Sequence, residues 1–155
     1  MKWDKVKEAK QIIRDNYYLT LSTSNGKSWA SPVYYSYDKN YTFYFVSPKN
    51  SLHVKYLRKN SKVAFAIFDS HQKPRTGVGL QIEGICSEVN RNKLAHAISI
   101  HTTREFRQTG IKSEHKPEDF LWKKLYRVFQ IIPKKIFINS KFSKIDYRIL
   151  IKLSK

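Results

Sequence analysis

Hydrophobic and polar residues along the chain alternate with two different periods. In residues 4–15, Val6, Ala9, Ile12 and Ile13 recur at helical spacing among Lys and Glu, which predicts an amphipathic helix ending at Asn16. From Tyr17 the period shortens to two. Residues 17–23 are rich in aromatic and β-branched side chains and read as a strand. Asn25-Gly26 then marks a tight hairpin, because both central positions of a primed turn need positive φ. The chain returns through residues 28–37, turns at Asp38-Lys39-Asn40 and runs back through residues 41–46. Three antiparallel strands are predicted.

Ser47-Pro48 reads as a helix start, a good N-cap residue followed by proline at the first helical position. The helix would carry Leu52, Tyr56 and Leu57 on one face and end at Asn60. The run Val63-Ala64-Phe65-Ala66-Ile67-Phe68 is apolar at every position, which predicts a strand covered on both faces and central in its sheet. A strand over residues 78–89 follows, with Gly84 expected at a bulge or bend. Residues 91–102 read as a helix with Leu94, Ala97, Ile98 and His101 on one side. Pro117-Glu118-Asp119 opens a short helix with acids in its first turn. Residues 127–132, 136–138 and 147–153 complete the strands. Six or more antiparallel strands with helices at the connections predict a mainly β barrel. With no repeat or linker to divide it, residues 1–155 are expected to form one domain.

Composition adds limits. The chain is 41% hydrophobic and 14% aromatic, in keeping with a packed core. Its single cysteine, Cys86, excludes an internal disulfide and suits a reducing cytoplasm. The start MKWDKVKEAK lacks the apolar run of a secretory signal, and no stretch reaches the roughly 18 apolar residues of a membrane span. A cytoplasmic protein without membrane attachment is expected. The charge is unusual: 30 Lys and Arg against 12 acids leave +18. Such a field attracts polyanions. In the last 35 residues, however, ten cations face one acid and alternate with Ile, Phe and Leu. That is the pattern of a solvated strand face rather than a basic tail, so nucleic acid is not an expected partner.

Few residues promise chemistry of their own. His96 and His101 are five apart on one predicted helix, a spacing that does not align their rings, and no metal site is expected. Cys86 lies mid-strand as a small hydrophobe. Gly77-Val78-Gly79 enters a strand instead of leaving one, so it is not a dinucleotide fingerprint. The segment from Ser47 to Lys55 differs. Ser47, Lys49, Ser51, His53 and Lys55 crowd hydroxyls and cations around a predicted helix start, and helix N-termini attract phosphate through unpaired N–H groups. A capped, solvated helix start would carry the same residues.

The order of segments is more specific. YLTLSTSNGKSWASPVYY, then FYFVSPKNSLHVKYLRKN, then VAFAIF and GLQIEGICSEV resemble the pyridoxamine 5'-phosphate oxidase-like, FMN-binding split barrels over residues 19–89, and IIPKKIFIN resembles their closing strands. The resemblance implies a six-stranded antiparallel split β-barrel with flanking helices, a flavin mononucleotide (FMN) cofactor, oxidoreductase activity on a small molecule, and a homodimer, with strand residues around Tyr34 and Phe45 expected at its interface. Ser31, Pro32, Val33 and Tyr34 would lie along the flavin ring and its ribityl chain. Ser47 and Ser51 match the hydroxyl positions beside the flavin phosphate. Leu52-His53 stands where the oxidases carry Arg-Lys, so Lys49 or Lys55 would supply the fixed cation. Gly79 replaces a ring-contacting glutamine, with Gln81 nearby, and Asn139 replaces a cofactor-stacking tryptophan. Arg148 is the nearest equivalent of the arginine that grips pyridoxal phosphate. These departures argue against pyridoxamine phosphate oxidation itself. Two alternatives stand beside this reading: the same fold with haem or a deazaflavin, and a basic small barrel that binds nucleic acid through strands such as VYYSY and YTFYF.

Overall fold

A computed structural model describes residues 3–121, 123–139 and 147–153. Helix α1 (Lys5–Asp15) leads into strands β1 (Tyr18–Ser24), β2 (Ser28–Tyr34), β3 (Ser36–Tyr37) and β4 (Phe43–Pro48). Helix α2 (Leu52–Leu57), β5 (Lys62–Phe68), β6 (Gly79–Glu88) and α3 (Arg91–Thr109) follow. A 3-10 turn (Pro117–Phe120), the long β7 (Tyr126–Asn139) and β8 (Arg148–Ile151) complete the described chain. All strand pairings are antiparallel, in the order β2-β1-β5-β6-β7-β4-β3, with β8 added beside β7.

The two ends of that path, β2 and β3, are separated in sequence by Tyr35 alone. The sheet therefore curls until its first and last strands are one bent segment, which is how an open sheet becomes a half-closed barrel. Tyr35 fastens the joint. It is fully buried, its N–H donates to the Tyr17 carbonyl at 3.0 Å, and its hydroxyl donates to the Ile13 carbonyl at 2.7 Å. Six or more strands were expected, and eight are seen among the described residues. The return strand breaks at Tyr35 into β2 and β3, the predicted strands over 127–132 and 136–138 are the single β7, and β8 joins the sheet.

β7 stays continuous through Pro133 because of a bulge. Glu83 pairs with Lys135 but Gly84 pairs with Pro133, so Lys134 is the extra residue, and Gly84 marks the irregularity as expected. A Cβ on Gly84 would sit 2.9 Å from both Ile131 Cγ2 and the Ile132 carbonyl oxygen. Glycine is required there by the close approach of β7.

Two apolar clusters stabilise the fold. The barrel interior holds Ile13, Leu19, Leu21, Phe43, Phe45, Phe65, Ile67, Ile82 and Ile131. On the outer side of β4 and β7, Tyr44, Leu94, Ala97, Ile98, Phe120 and Val128 form the second. Phe45 stacks on Phe129 at 5.2 Å and is fully buried in its own chain, so its side chain cannot serve the dimer interface expected of it. β5 is central in the sheet, yet Ala64 and Phe68 on its outer face are exposed. Helix α3 outruns its predicted end by two turns. Its apolar stripe stops near His101, but Arg104 reaches across to the carbonyls of Ile13, Arg14 and Asn16 at 3.2, 3.2 and 2.6 Å. That contact ties the helix to the C-terminus of α1, where a cation is favoured.

Candidate functional site

Strand β4 runs Phe43, Phe45 and Ser47 into the barrel on alternate positions. Ser47 and Pro48 are therefore the end of a strand and not the helix start predicted from their sequence. Strand alternation and the pairing of Ser47 with Arg127 on β7 override the local capping signal. The chain then turns, with the Ser51 N–H donating to the Pro48 carbonyl at 3.1 Å, and Ser51 is the true N-cap of α2. This helix ends at Leu57 instead of Asn60 and buries Val54 and Leu57. Burying those two turns His53 sideways, toward β2 and β4.

His53 is the centre of a compact polar cluster. Its Nε2 lies 2.7 Å from Ser47 Oγ and 3.2 Å from Ser51 Oγ, and its Nδ1 lies 3.2 Å from Ser31 Oγ on β2. Ser47 and Ser51 are 3.3 Å apart through their hydroxyls. The Ser51 side chain makes no capping bond to its own helix. Three of the expected phosphate-side residues, Ser47, Ser51 and His53, thus meet in one place, and Ser31, expected along the ring and ribityl chain, joins them from 22 positions away in sequence. Ser31 and Ser47 are buried, and burial holds the His53 pKa below its ordinary value of 6.5. The ring is neutral at pH 7. A neutral imidazole donates at one nitrogen and accepts at the other, so Ser31 and Ser47 take opposite hydrogen-bonding roles. Protonation makes both nitrogens donors, so neither hydroxyl donates to the ring and both can turn a proton to an anion.

The remaining predicted residues divide. Lys49 is half-buried and Lys55 exposed, and neither has an ion-pair partner among the described residues. In β2, Ser31 and Val33 face inward while Pro32 faces out. Val33 is a core residue, so only its backbone could meet a ligand. β2 pairs with β1 alone, which leaves its other edge without a ladder partner. The half-buried Tyr34 places its ring edge-on to Tyr18 and His101, at 5.8 and 5.2 Å. Its hydroxyl is buried without a hydrogen-bond partner. Gln81 lies on β6 with Gly79 and shares a cleft of about 380 Å³ with Phe68, Gln72 and Asn139. Arg148 donates to its Oε1 at 3.5 Å, at the limit of a hydrogen bond. The register Pro32–Thr20–Ala66–Gln81 makes one row across four strands, so Gln81 stands about 14 Å from Pro32.

Sequence reasoning passed over His101. Its Nδ1 lies 3.3 Å from the buried Ser36 Oγ, and burial pushes its pKa down to about 4, with His115 and Arg104 nearby acting in the same direction. Its helical stripe position was visible, but not its contacts across 65 residues. Burial pushes the Cys86 thiol up to about 12, consistent with a small hydrophobe. Among the described residues no group of three His, Cys, Asp or Glu could hold a metal ion, and no helix is long and apolar enough to cross a membrane.

Known proteins share both sequence and architecture with this chain. A UPF0306 protein from Pasteurella multocida is 29% identical over 99 residues. That match covers 63% of this chain and 66% of the relative, just under two thirds of its length. An FAD-binding protein from Mesorhizobium loti superposes with a TM-score of 0.61 at 17% identity, covering 85% of this chain and 91% of its own. A haem storage protein from Vibrio cholerae superposes with a TM-score of 0.65 at 14% identity, covering 85% and 92%. At such identities the superpositions establish the fold and nothing finer. The sequence match is longer and carries more: residues 6–138, from the second residue of α1 to the last turn-in of β7, fit the profile of one family throughout, and the chain belongs to the pyridoxamine 5'-phosphate oxidase family.

Proposed function

We propose that this chain is an FMN-binding flavoprotein that works as a cytoplasmic homodimer and oxidises or reduces a small molecule. The observation that carries the reading is the convergence of Ser31, Ser47 and Ser51 on His53. Three hydroxyls and an imidazole, with no carboxylate among them, are a donor set suited to a phosphate monoester. The buried, unpartnered Tyr34 hydroxyl supplies one more donor for a ligand lying along β2.

When bound, the flavin supplies the electron transfer. The chain's own residues bind and orient it. His53 takes up a proton beside the phosphate, Ser31 and Ser47 turn their hydroxyls toward it, and Lys49 or Lys55 adds a permanent charge. Gln81 lies in the row of Pro32, on the opposite sheet face from Ser31, so Gln81 and Asn139 in their shared cleft would meet the ring end of a flavin held by the second copy. The second copy would sit on the outer sheet face. There Ala30, Ser22 and Ala64 form a row beside Pro32, Thr20 and Ala66, small side chains that allow close approach, with the exposed Phe68 at the margin. Pyridoxamine phosphate is not the proposed substrate.

The test begins with the absorption spectrum of freshly purified protein. Flavin bands released on denaturation support the reading, and a haem Soret band refutes it in favour of that alternative. FMN titration follows, into wild type, His53→Ala and His53→Lys, near pH 6.5 and pH 8.5. A phosphate stabilises the imidazolium, so binding raises the lowered pKa of His53, and affinity fades as pH rises through the raised value. His53→Ala should lose about 1.5–3 kcal/mol, the scale of a hydrogen bond to a charged group, and His53→Lys should flatten the pH dependence. Equal affinities for all three proteins at both pH values would refute the assignment. Light scattering that shows only an 18.4 kDa particle would refute the dimer.

A further inference from the structure

A second cleft, of about 540 Å³, opens between α1 and the hairpin that joins β3 to β4. It shares no residue with the His53 cluster. Its helical wall carries Lys7, Lys10 and Arg14, spaced three and four apart, with Gln11 beside them. That spacing puts all three cations on one face. Its other wall is Tyr37 and Tyr41, whose rings stack at 5.9 Å with 4° between their planes.

Tyr41 is unusual in its backbone. Its φ is +58°, in the left-handed region where a side chain costs roughly 1–2 kcal/mol and glycine or asparagine is the ordinary choice. The turn is rigidly pinned. The Asp38 carboxylate accepts from the N–H groups of Asn40 and Thr42 at 2.8 and 3.0 Å and from the Tyr44 hydroxyl at 3.1 Å. A strained aromatic is thus fixed against a second ring, at the mouth of a basic cleft.

The acids nearby are already engaged. Asp38 is bound up in its turn, Asp4 accepts from the Lys7 N–H as the helix cap, and Asp15 pairs with Arg14 at 2.6 Å. Lys7 and Lys10 have no ion-pair partner among the described residues. Lysines on a helix face are ordinary solvated surface. Tyr37 and Tyr41 are half-buried against the barrel core, and the rest of their stacked pair lines the cleft opposite those cations.

We propose that this cleft binds a nucleotide, its base stacked on the Tyr37–Tyr41 pair and its phosphate held by Lys7, Lys10 and Arg14. Aromatic faces opposite cations are the arrangement that holds an unpaired base and its phosphate together. The ligand is a free mononucleotide or one unit of a single strand. The site stands apart from the flavin reading.

The test is a titration with AMP and with a labelled thymidine decamer, following the ring resonances of Tyr37 and Tyr41. Adenosine and inorganic phosphate serve as half-ligands. AMP should bind more tightly than either half and shift both rings. Tyr41→Phe should bind as wild type. Tyr41→Gly should lose roughly five- to a hundredfold, the scale of one base stack, and Tyr41→Asn, which also suits the left-handed backbone, should lose as much. Lys7→Gln with Lys10→Gln should weaken binding and reduce its salt dependence. A decamer that binds far more tightly than AMP identifies a strand as the source, and equal affinity identifies the free nucleotide. His53→Ala should leave AMP affinity unchanged while weakening FMN, which separates failure of one site from failure of the other. Unshifted tyrosine rings at about millimolar ligand, or Tyr41→Gly and Tyr41→Asn that bind as wild type, would overturn the proposal.

Discussion

Acid should unfold this protein through His101 before its carboxylates matter. The ring is held neutral in the fold with a pKa of about 4, against an ordinary 6.5. Ser36 sits 3.3 Å from Nδ1, Tyr34 lies edge-on to the ring, and Arg104 and His115 oppose a further positive charge. Because the folded pKa lies below the unfolded one, the unfolded chain binds more protons between the two values. The stabilisation is complete above about pH 6.5 and is lost progressively as pH falls toward 4. At 1.36 kcal/mol for each pH unit, the loss between about pH 7 and pH 4.5 comes to about 2.5 kcal/mol. His53, whose pKa is also lowered by burial, adds to the loss in the same direction. Urea unfolding near pH 7, 5.5 and 4.5 measures the total, and His101→Gln isolates one contribution. Glutamine can still reach the Ser36 hydroxyl but cannot charge, so the variant should lose about 2.5 kcal/mol less over the same range. Stopping near pH 4.5 keeps Asp15 and Asp69 outside the window, since the pKa of each lies below its ordinary 3.8. An imidazole Cε1–H resonance of His101 that titrates above pH 6 would refute the reasoning. So would equal acid losses in wild type and His101→Gln.

Further outcomes follow from single contacts. Gly84→Ala should destabilise by about 1–3 kcal/mol, because its Cβ meets β7 at 2.9 Å on two atoms. Gly77→Ala, whose nearest neighbour is the flexible Gln72 side chain at 3.9 Å, should be nearly neutral, and thermal unfolding of the pair checks the contrast. Arg104→Met should cost about 2–3 kcal/mol by leaving the Arg14 and Asn16 carbonyls without their donor, while the Ile13 carbonyl keeps the Tyr35 hydroxyl. Hydrogen exchange should then quicken in α1 and in the last two turns of α3, and unchanged exchange there would show that the contact does not dock the helix.

The local elements were legible in the sequence because their causes are local. Asn25-Gly26 marks the hairpin as expected, but the loop is three residues long, with Ser24 paired to Ser28, and Gly26 takes positive φ (+78°) while Asn25 does not. The two-residue period of β1 and β2 and the helical period of α1 likewise follow from neighbouring side chains. Ser47, Ser51 and His53 could be grouped because they lie within seven positions. Even so, the secondary structure around them was misread, since Ser47-Pro48 satisfies the rules for a helix cap and for a strand end alike. Pairing with β7, some 80 residues away, decides between them.

What only the tertiary structure decided is which distant segments meet. Ser31 reaches His53 because the sheet curls enough to bring β2 over β4, and that curl is the sum of twist and register along seven strands. No single residue encodes it. The same holds for His101 against Ser36 and Tyr34, and for Arg104 at the end of α1, which prolongs α3 after its apolar stripe has stopped. Tyr41 is an intermediate case. The turn at Asp38-Lys39-Asn40 was legible from its residue types, but the positive φ at Tyr41 was not. Which residue bears the strain, and that its ring then faces α1, is settled by the closed turn and the helix packed beside it. Periodicity is a property of neighbours along the chain, whereas a binding site is a property of neighbours in space.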